Sequence, residues 1–188
     1  MPKIIKDVEK TIKNSAIDLF IELGYINVDM RMISKKSGVA VGTLYNYFQN
    51  KKQLYINILK ESWQDTFNEL DIINELTIST EEKLTKFLST LYEDVEARNG
   101  LGKFLINTSV DELKDDIEII NLKNSLISRV ENFFKCFNTA ESLNKCFKIE
   151  TRLAEALLAS TLIMLELHPK DKKENINFLV GFMSLSMR

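Results

Sequence analysis

Apolar residues recur along this chain at spacings of three and four, and no stretch alternates long enough to predict a strand, so the pattern is that of an all-α protein. The first stripe, Ile12, Ala16, Leu19 and Phe20, predicts a helix from Ile5 to Leu23. A short second helix, MRMISKKS, stops at Gly38, where a residue without Cβ can turn left-handed. A third follows at once. Its Leu44 and Phe48 lie four residues apart on one face with Val41 at the edge, while Gly42, Thr43 and Asn46 fall opposite. Asn50 with Gln53, a capping-box variant, opens a fourth helix from Lys51 to about Leu70 that carries Leu54, Ile58, Trp63 and Phe67. Ser79 and Glu82 open the next, whose Leu84, Phe87, Leu88, Leu91 and Val95 keep one face until Asn99 and Gly100. A short helix at Phe104 to Thr108 precedes a long one from Leu113 to Phe137. After the polar stretch Asn138 to Lys145, a helix runs to Leu167 and halts before His168 and Pro169. The last begins at the capping pair Asp171 and Glu174 and reaches Met187.

Two short helices around Gly38 predict a helix-turn-helix, with an apolar face for the domain core and a small polar face left for a groove. An ordinary helical hairpin has the same corner. Charge adds to the picture only when divided along the chain. Residues 1–60 carry ten Lys or Arg against five Asp or Glu, and residues 61–188 carry fifteen against twenty-two, so a net −2 conceals a basic first third and an acidic remainder. The basic segment suits a polyanion and the acidic one does not.

The flanks of the corner extend the pattern. Ala16, Leu19, Phe20, Gly24, Tyr25, Ile33, Gly38, Val39, Thr43, Leu44, Tyr45, Tyr47, Phe48, Lys51 and Leu54 stand at spacings that resemble the DNA-binding domain of the TetR family of bacterial transcriptional regulators. The resemblance implies a TetR-like all-α fold: a three-helix DNA-binding head over 1–50 and a helical ligand-binding and dimerisation body over 51–188, joined by the helix that starts at Lys51. It implies a homodimer on double-stranded DNA, a repressor of a palindromic operator released by a small-molecule inducer. The alternative is a helical ligand-binding or protein-interaction module that has lost operator binding. The family's contact positions fall on Val41, Gly42, Thr43, Tyr45, Asn46 and Tyr47, with Lys51 just beyond. By chemistry, Thr43, Tyr45, Tyr47, Lys51 and Arg31 suit phosphate, Asn46 suits adenine, Val41 suits a thymine methyl, and Gly42 permits close approach. The early lysines Lys3, Lys6, Lys10 and Lys13 suit a phosphate backbone as well. Three positions depart from the family pattern: Ala40 replaces a capping Ser, Asp29 a Thr, and Ser34 a small Ala. Asp29 can cap the helix before the recognition helix.

In the body, Trp63, Phe67, Phe87, Leu91, Phe104, Phe133 and Phe137 are the expected lining of an inducer pocket, since the family surrounds its ligand with such helices. An apolar or aromatic inducer suits them, and so does plain core packing. Leu157, Leu158, Thr161, Leu162 and Leu165 with Ile176, Leu179, Val180 and Met183 make wide apolar faces on the last two helices, the expected dimer interface.

Other functions find little support. The single His168 precedes Pro169 at a helix end, a poor place for a catalytic triad, and no His and Cys cluster offers a metal site, so neither catalytic residues, metal nor cofactor is expected. Glu81-Glu82 and Asp115-Asp116 suit the starts of helices. Gly100 and Gly102 lack the strand that a phosphate loop requires. MPKIIKDVEK does not read as a signal peptide, and Leu157 to Leu165 is too short to span a bilayer, so a cytoplasmic protein with two free thiols, Cys136 and Cys146, is expected.

Overall fold

The computed structural model describes residues 7–98, 100, 101, 113, 115–137, 140, 143 and 145–187. Among these, eight helices follow in order: α1 (Val8–Leu23), α2 (Met30–Ser37), α3 (Val41–Tyr47), α4 (Lys51–Glu75), α5 (Thr80–Ala97), α6 (Ile117–Lys135), α7 (Ile149–Leu167) and α8 (Lys172–Ser184). The short helix expected at Phe104 to Thr108 lies outside the described residues, as do Lys3 and Lys6. The chain divides into two units, Met1–Ser62 and Trp63–Arg188, and α4 runs from the first into the second.

In the first unit, Asp7 caps α1 by accepting from the Lys10 backbone N–H at 3.2 Å, and Ile12, Ala16, Leu19 and Phe20 form its buried stripe. Phe20 meets Tyr25 and Tyr55 at ring-centroid distances of 5.9 and 4.7 Å, and Val28, Ile33, Val39, Leu44, Phe48, Leu54 and Ile58 complete the core. Helix α2 packs against both α1 and α3.

The second unit is a helical body in which α5 packs on α7 and α8, α6 on α7, and α7 on α8. The start of α5 is set by a full capping box: the Glu82 backbone N–H donates to Ser79 Oγ at 3.2 Å while a Glu82 carboxylate oxygen accepts from the Ser79 backbone N–H at 3.2 Å. Buried Asn175 ties three elements together, its amide donating to Tyr92 Oη and to the His168 carbonyl, each at 2.8 Å. No described helix is long and apolar enough to cross a membrane.

Several element ends differ from the pattern's expectation, α6 stopping at Lys135 rather than Phe137 and α8 at Ser184 rather than Met187. Helix α4 continues past Leu70 to Glu75, because Leu70 and Ile73 find cover and Lys83 donates to the Asn74 carbonyl at 2.8 Å, a cation at a helix C-terminus. Helix α6 starts at Ile117 rather than Leu113, where Asp116 accepts from the Glu118 backbone N–H at 3.0 Å. Asp171 does not cap α8 with its side chain; only its carbonyl takes part, accepting from the Asn175 N–H at 2.8 Å.

Candidate nucleic-acid interface

Helix α3 is held by its apolar side and leaves its polar side free. Gly38 takes φ 69 and ψ 12, the left-handed geometry that turns α2 into α3 without a Cβ clash. Two serines lock this turn. Ser34 Oγ donates to the Val39 carbonyl at 2.6 Å, and Ser37 Oγ accepts from the Val39 N–H at 3.3 Å. Ser34, a departure from the family pattern, thus gains a role that its sequence position does not disclose. Leu44 and Phe48 are buried, whereas Val41, Gly42, Thr43, Tyr45, Asn46 and Tyr47 are all exposed. Ala40 gives α3 no side-chain cap, so the first N–H groups of that helix are left to water or a ligand.

Beside α3, Arg31, Tyr45 and Lys51 line one open concavity of about 440 Å³, together with Val28, Asp29, Met30, Gln49 and Asn50. Three residues expected to meet phosphate therefore stand at one place, although they come from α2, α3 and α4. Lys51 is partly engaged already, its Nζ donating to the Tyr25 carbonyl at 2.9 Å and standing 4.1 Å from that ring's centroid. An ammonium has three donors, so this anchoring leaves capacity for an anion. Asp29 caps α2, accepting from the Met32 N–H at 2.8 Å. Asn50, which also lines the concavity, caps α4 by accepting from the Gln53 N–H at 2.8 Å.

Lys13 does not fit the expectation of a phosphate contact. It is largely buried and pairs with Glu9 at 2.5 Å and Glu61 at 2.6 Å. Burial acts to lower its pKa, but the hydrogen bonds and charges of Glu61 and Glu9 outweigh that and raise it. Its cation is spent inside the unit; Lys10 remains exposed.

Within the body, Trp63, Phe67, Phe87, Leu91 and Phe133 are buried and Phe137 is half-buried, while Phe104 lies outside the described residues. The structure brings two groups together. Phe87 stacks on Phe133 at 4.0 Å, with Phe137 edge-on to Phe133 at 5.0 Å, and Trp63 sits 5.7 Å from Phe67.

Burial divides the residues expected at the dimer surface. Leu157, Leu158, Thr161, Leu179 and Met183 face the chain's own core at 3% exposure or less, so they cannot also cover a partner. Leu162, Leu165, Ile176 and Val180 are half-buried. The apolar surface actually left on α7 and α8 is Ile163, Leu167, Phe178 and Phe182, continued by Leu185. Phe178 and Phe182 stack at 6.0 Å with 3° between their planes. Their spacing of four and their aromatic type were a legible signal; which stripe of two apolar-rich helices turns inward was not.

Residues 12–58 match the family model of bacterial regulatory proteins of the tetR family. The HTH-type transcriptional regulator YuxN of Bacillus subtilis (strain 168) is 30% identical over 91 residues, 48% of this chain but only 31% of YuxN. The chain thus spans about a third of the length of that relative. The fatty acid metabolism regulator protein of the same organism is 24% identical over 151 residues, 79% of this chain and 76% of that protein. A solved structure, the transcriptional regulator FadR from Bacillus subtilis in complex with stearoyl-CoA, has a TM-score of 0.72 at 18% identity, covering 93% of this chain and 96% of that one. At that identity the likeness is one of fold.

Proposed function

Since residues 12–58 match the tetR family model and the chain shares its fold with the transcriptional regulator FadR from Bacillus subtilis along most of its length, we propose that it is a homodimeric repressor that binds a palindromic operator and is released by a small molecule. The observation that carries this reading is the exposed side of α3, Val41, Gly42, Thr43, Tyr45, Asn46 and Tyr47, set next to the concavity where Arg31, Tyr45 and Lys51 converge. In the major groove, that side puts Asn46 and Val41 at base edges while Thr43, Tyr45, Tyr47, Arg31 and Lys51 meet phosphate. Each subunit then reads one half-site, the two separated by about one turn of DNA, on the order of 34–36 Å.

Dimerisation uses the α7 and α8 surface of Ile163, Leu167, Phe178 and Phe182. Exposed aromatic pairs of this kind suit the buried centre of an interface. The ligand is a fatty acyl compound. Support comes from the named role of one relative in fatty acid metabolism and from the stearoyl-CoA in another's structure, and the apolar body of this chain is chemically suited to an acyl chain. Release follows if ligand binding favours a state of α4 in which the heads no longer match the half-site spacing, since α4 belongs to both units. The protein works in the cytoplasm, where DNA and acyl thioesters are both found.

Binding to genomic DNA fragments, followed by addition of oleoyl-CoA, tests the proposal. Salt-dependent retention of a subset of fragments and their loss on addition of the thioester are expected. Ligand binding with no DNA retention at any salt concentration would identify a helical ligand-binding module instead.

A further inference from the structure

Trp63 is 1% exposed, and its indole Nε1 has no hydrogen-bond partner among the described residues. Native proteins leave few buried donors unpaired, and a buried indole N–H usually finds an acceptor. A cation stands against the same ring. The Arg98 guanidinium lies 4.0 Å from the indole, where it is held by donating to the hydroxyl of buried Thr66 and to the Asp94 carbonyl. Burial pushes the Arg98 pKa down and the Asp94 charge pulls it back up; a guanidinium remains protonated at neutral pH in either case. Beside this donor-rich spot Phe67 lies 5.7 Å from Trp63, its ring covered in turn by the Arg129 guanidinium at 4.3 Å, which is paired with Asp71. A molecule that satisfies such a place has an oxygen acceptor at one end and little polarity beyond it.

We infer that the Trp63 indole N–H and the Arg98 guanidinium together hold the acceptor oxygen, carboxylate or acyl carbonyl, of an otherwise apolar ligand of the body. This rests on the ligand-responsive reading above and assigns the residues that recognise the ligand's polar end. Placement gives the contact a consequence. Trp63 and Thr66 lie on α4, the helix that continues into the first unit, so a ligand that binds one arrangement of α4 better than another biases DNA affinity by that difference alone.

Trp63 is the chain's only tryptophan, so its emission reports directly on the site. The probes are oleate and oleoyl-CoA. At least one should change the emission of the wild-type protein: response to both points to a shared carbonyl acceptor, and response to only one identifies the free acid or the thioester as the source. Trp63→Phe keeps a ring against Arg98 but removes the N–H. By calorimetry it should bind the responsive probe about tenfold more weakly, the loss expected of a hydrogen bond to a charged or strongly polar acceptor, and Arg98→Gln should lose at least as much. Ligand-free Trp63→Phe should melt somewhat below wild type, since the smaller ring leaves a void at a buried position, and circular dichroism should find it fully folded at the temperature of the binding measurement. If Trp63→Phe binds the probe as tightly as wild type, with DNA release intact, the inference is wrong and the acyl-ligand reading stands. If neither probe binds the wild-type protein, both fall.

Discussion

Gly42 and Asn46 carry different parts of the proposed DNA contact, and each can be separated from folding. A Cβ added at Gly42 meets nothing within 4 Å in the free protein, so the space there is open. Gly42→Ala should therefore stabilise the free protein, by up to roughly 0.5–1 kcal/mol for a helical glycine, while weakening operator binding if the backbone approaches DNA closely. Thermal melting and operator titration read the two effects; a variant that binds as well as wild type would remove Gly42 from the interface. Asn46 is exposed on the same side, with no structural duty in the core. Asn46→Ala should cost about 1–3 kcal/mol on the cognate site and relax preference at one position per half-site. Equal losses on every sequence would mean that Asn46 only positions the protein. Lys13 gives the contrary lesson: a lysine in a basic N-terminal run is committed to Glu9 and Glu61, and sequence has no means of telling it from exposed Lys10.

Among the elements, α5 has the most fully specified start. Hydrogen bonds from the Ser79 side chain and then its backbone lower the Glu82 pKa, so the box contributes stability above the ordinary carboxylate range and loses it as pH falls through the depressed folded value. Ser79→Ala should cost about 1 kcal/mol of stability at neutral pH, and the difference from wild type should shrink in acid as Glu82 protonates. Urea unfolding across that range checks this; a difference independent of pH would show that the Glu82 half of the box contributes nothing. Helices α7 and α8 carry the second element-scale prediction. Phe178 and Phe182 are 55% and 47% exposed, so replacing both with Glu should leave the chain folded yet place charge in the proposed interface. Sedimentation at micromolar concentration should find monomers, and operator affinity should fall steeply as the paired half-sites are lost. A folded double variant that still sediments as a dimer would move the interface elsewhere. The same test on Leu158 or Leu179 would be uninformative, because their burial makes unfolding the first consequence.

For the whole molecule, what sequence disclosed follows from the range of the interactions involved. The helix-turn-helix was legible because its determinants, Gly38, Leu44 and Phe48, lie within one short segment and obey one period. The extension of α4 to Glu75 was not, since it depends on Lys83 reaching the Asn74 carbonyl and on packing of Leu70 and Ile73. Nor was the meeting of Trp63 with Arg98, which requires α4 and α5 to fold together. The apolar content of α7 and α8 was visible, but the division between core stripe and surface stripe is a tertiary fact that two-sided helices conceal. The concavity of Arg31, Tyr45 and Lys51 belongs to the same class, being assembled from three helices whose individual residues were each anticipated. That concavity also offers the most direct test of DNA binding by this face. Arg31 is exposed, whereas Lys51 also holds the Tyr25 carbonyl, so Arg31→Ala is the cleaner removal of positive charge. The decisive measurement is the dependence of operator affinity on salt concentration for wild type and Arg31→Ala. The wild-type protein should show a steep negative slope, and the variant should lose roughly one unit of slope per subunit with a loss of affinity about equal on all DNA sequences. An identical slope in the two proteins, or no salt-dependent DNA binding by either, would contradict the placement of DNA on this face.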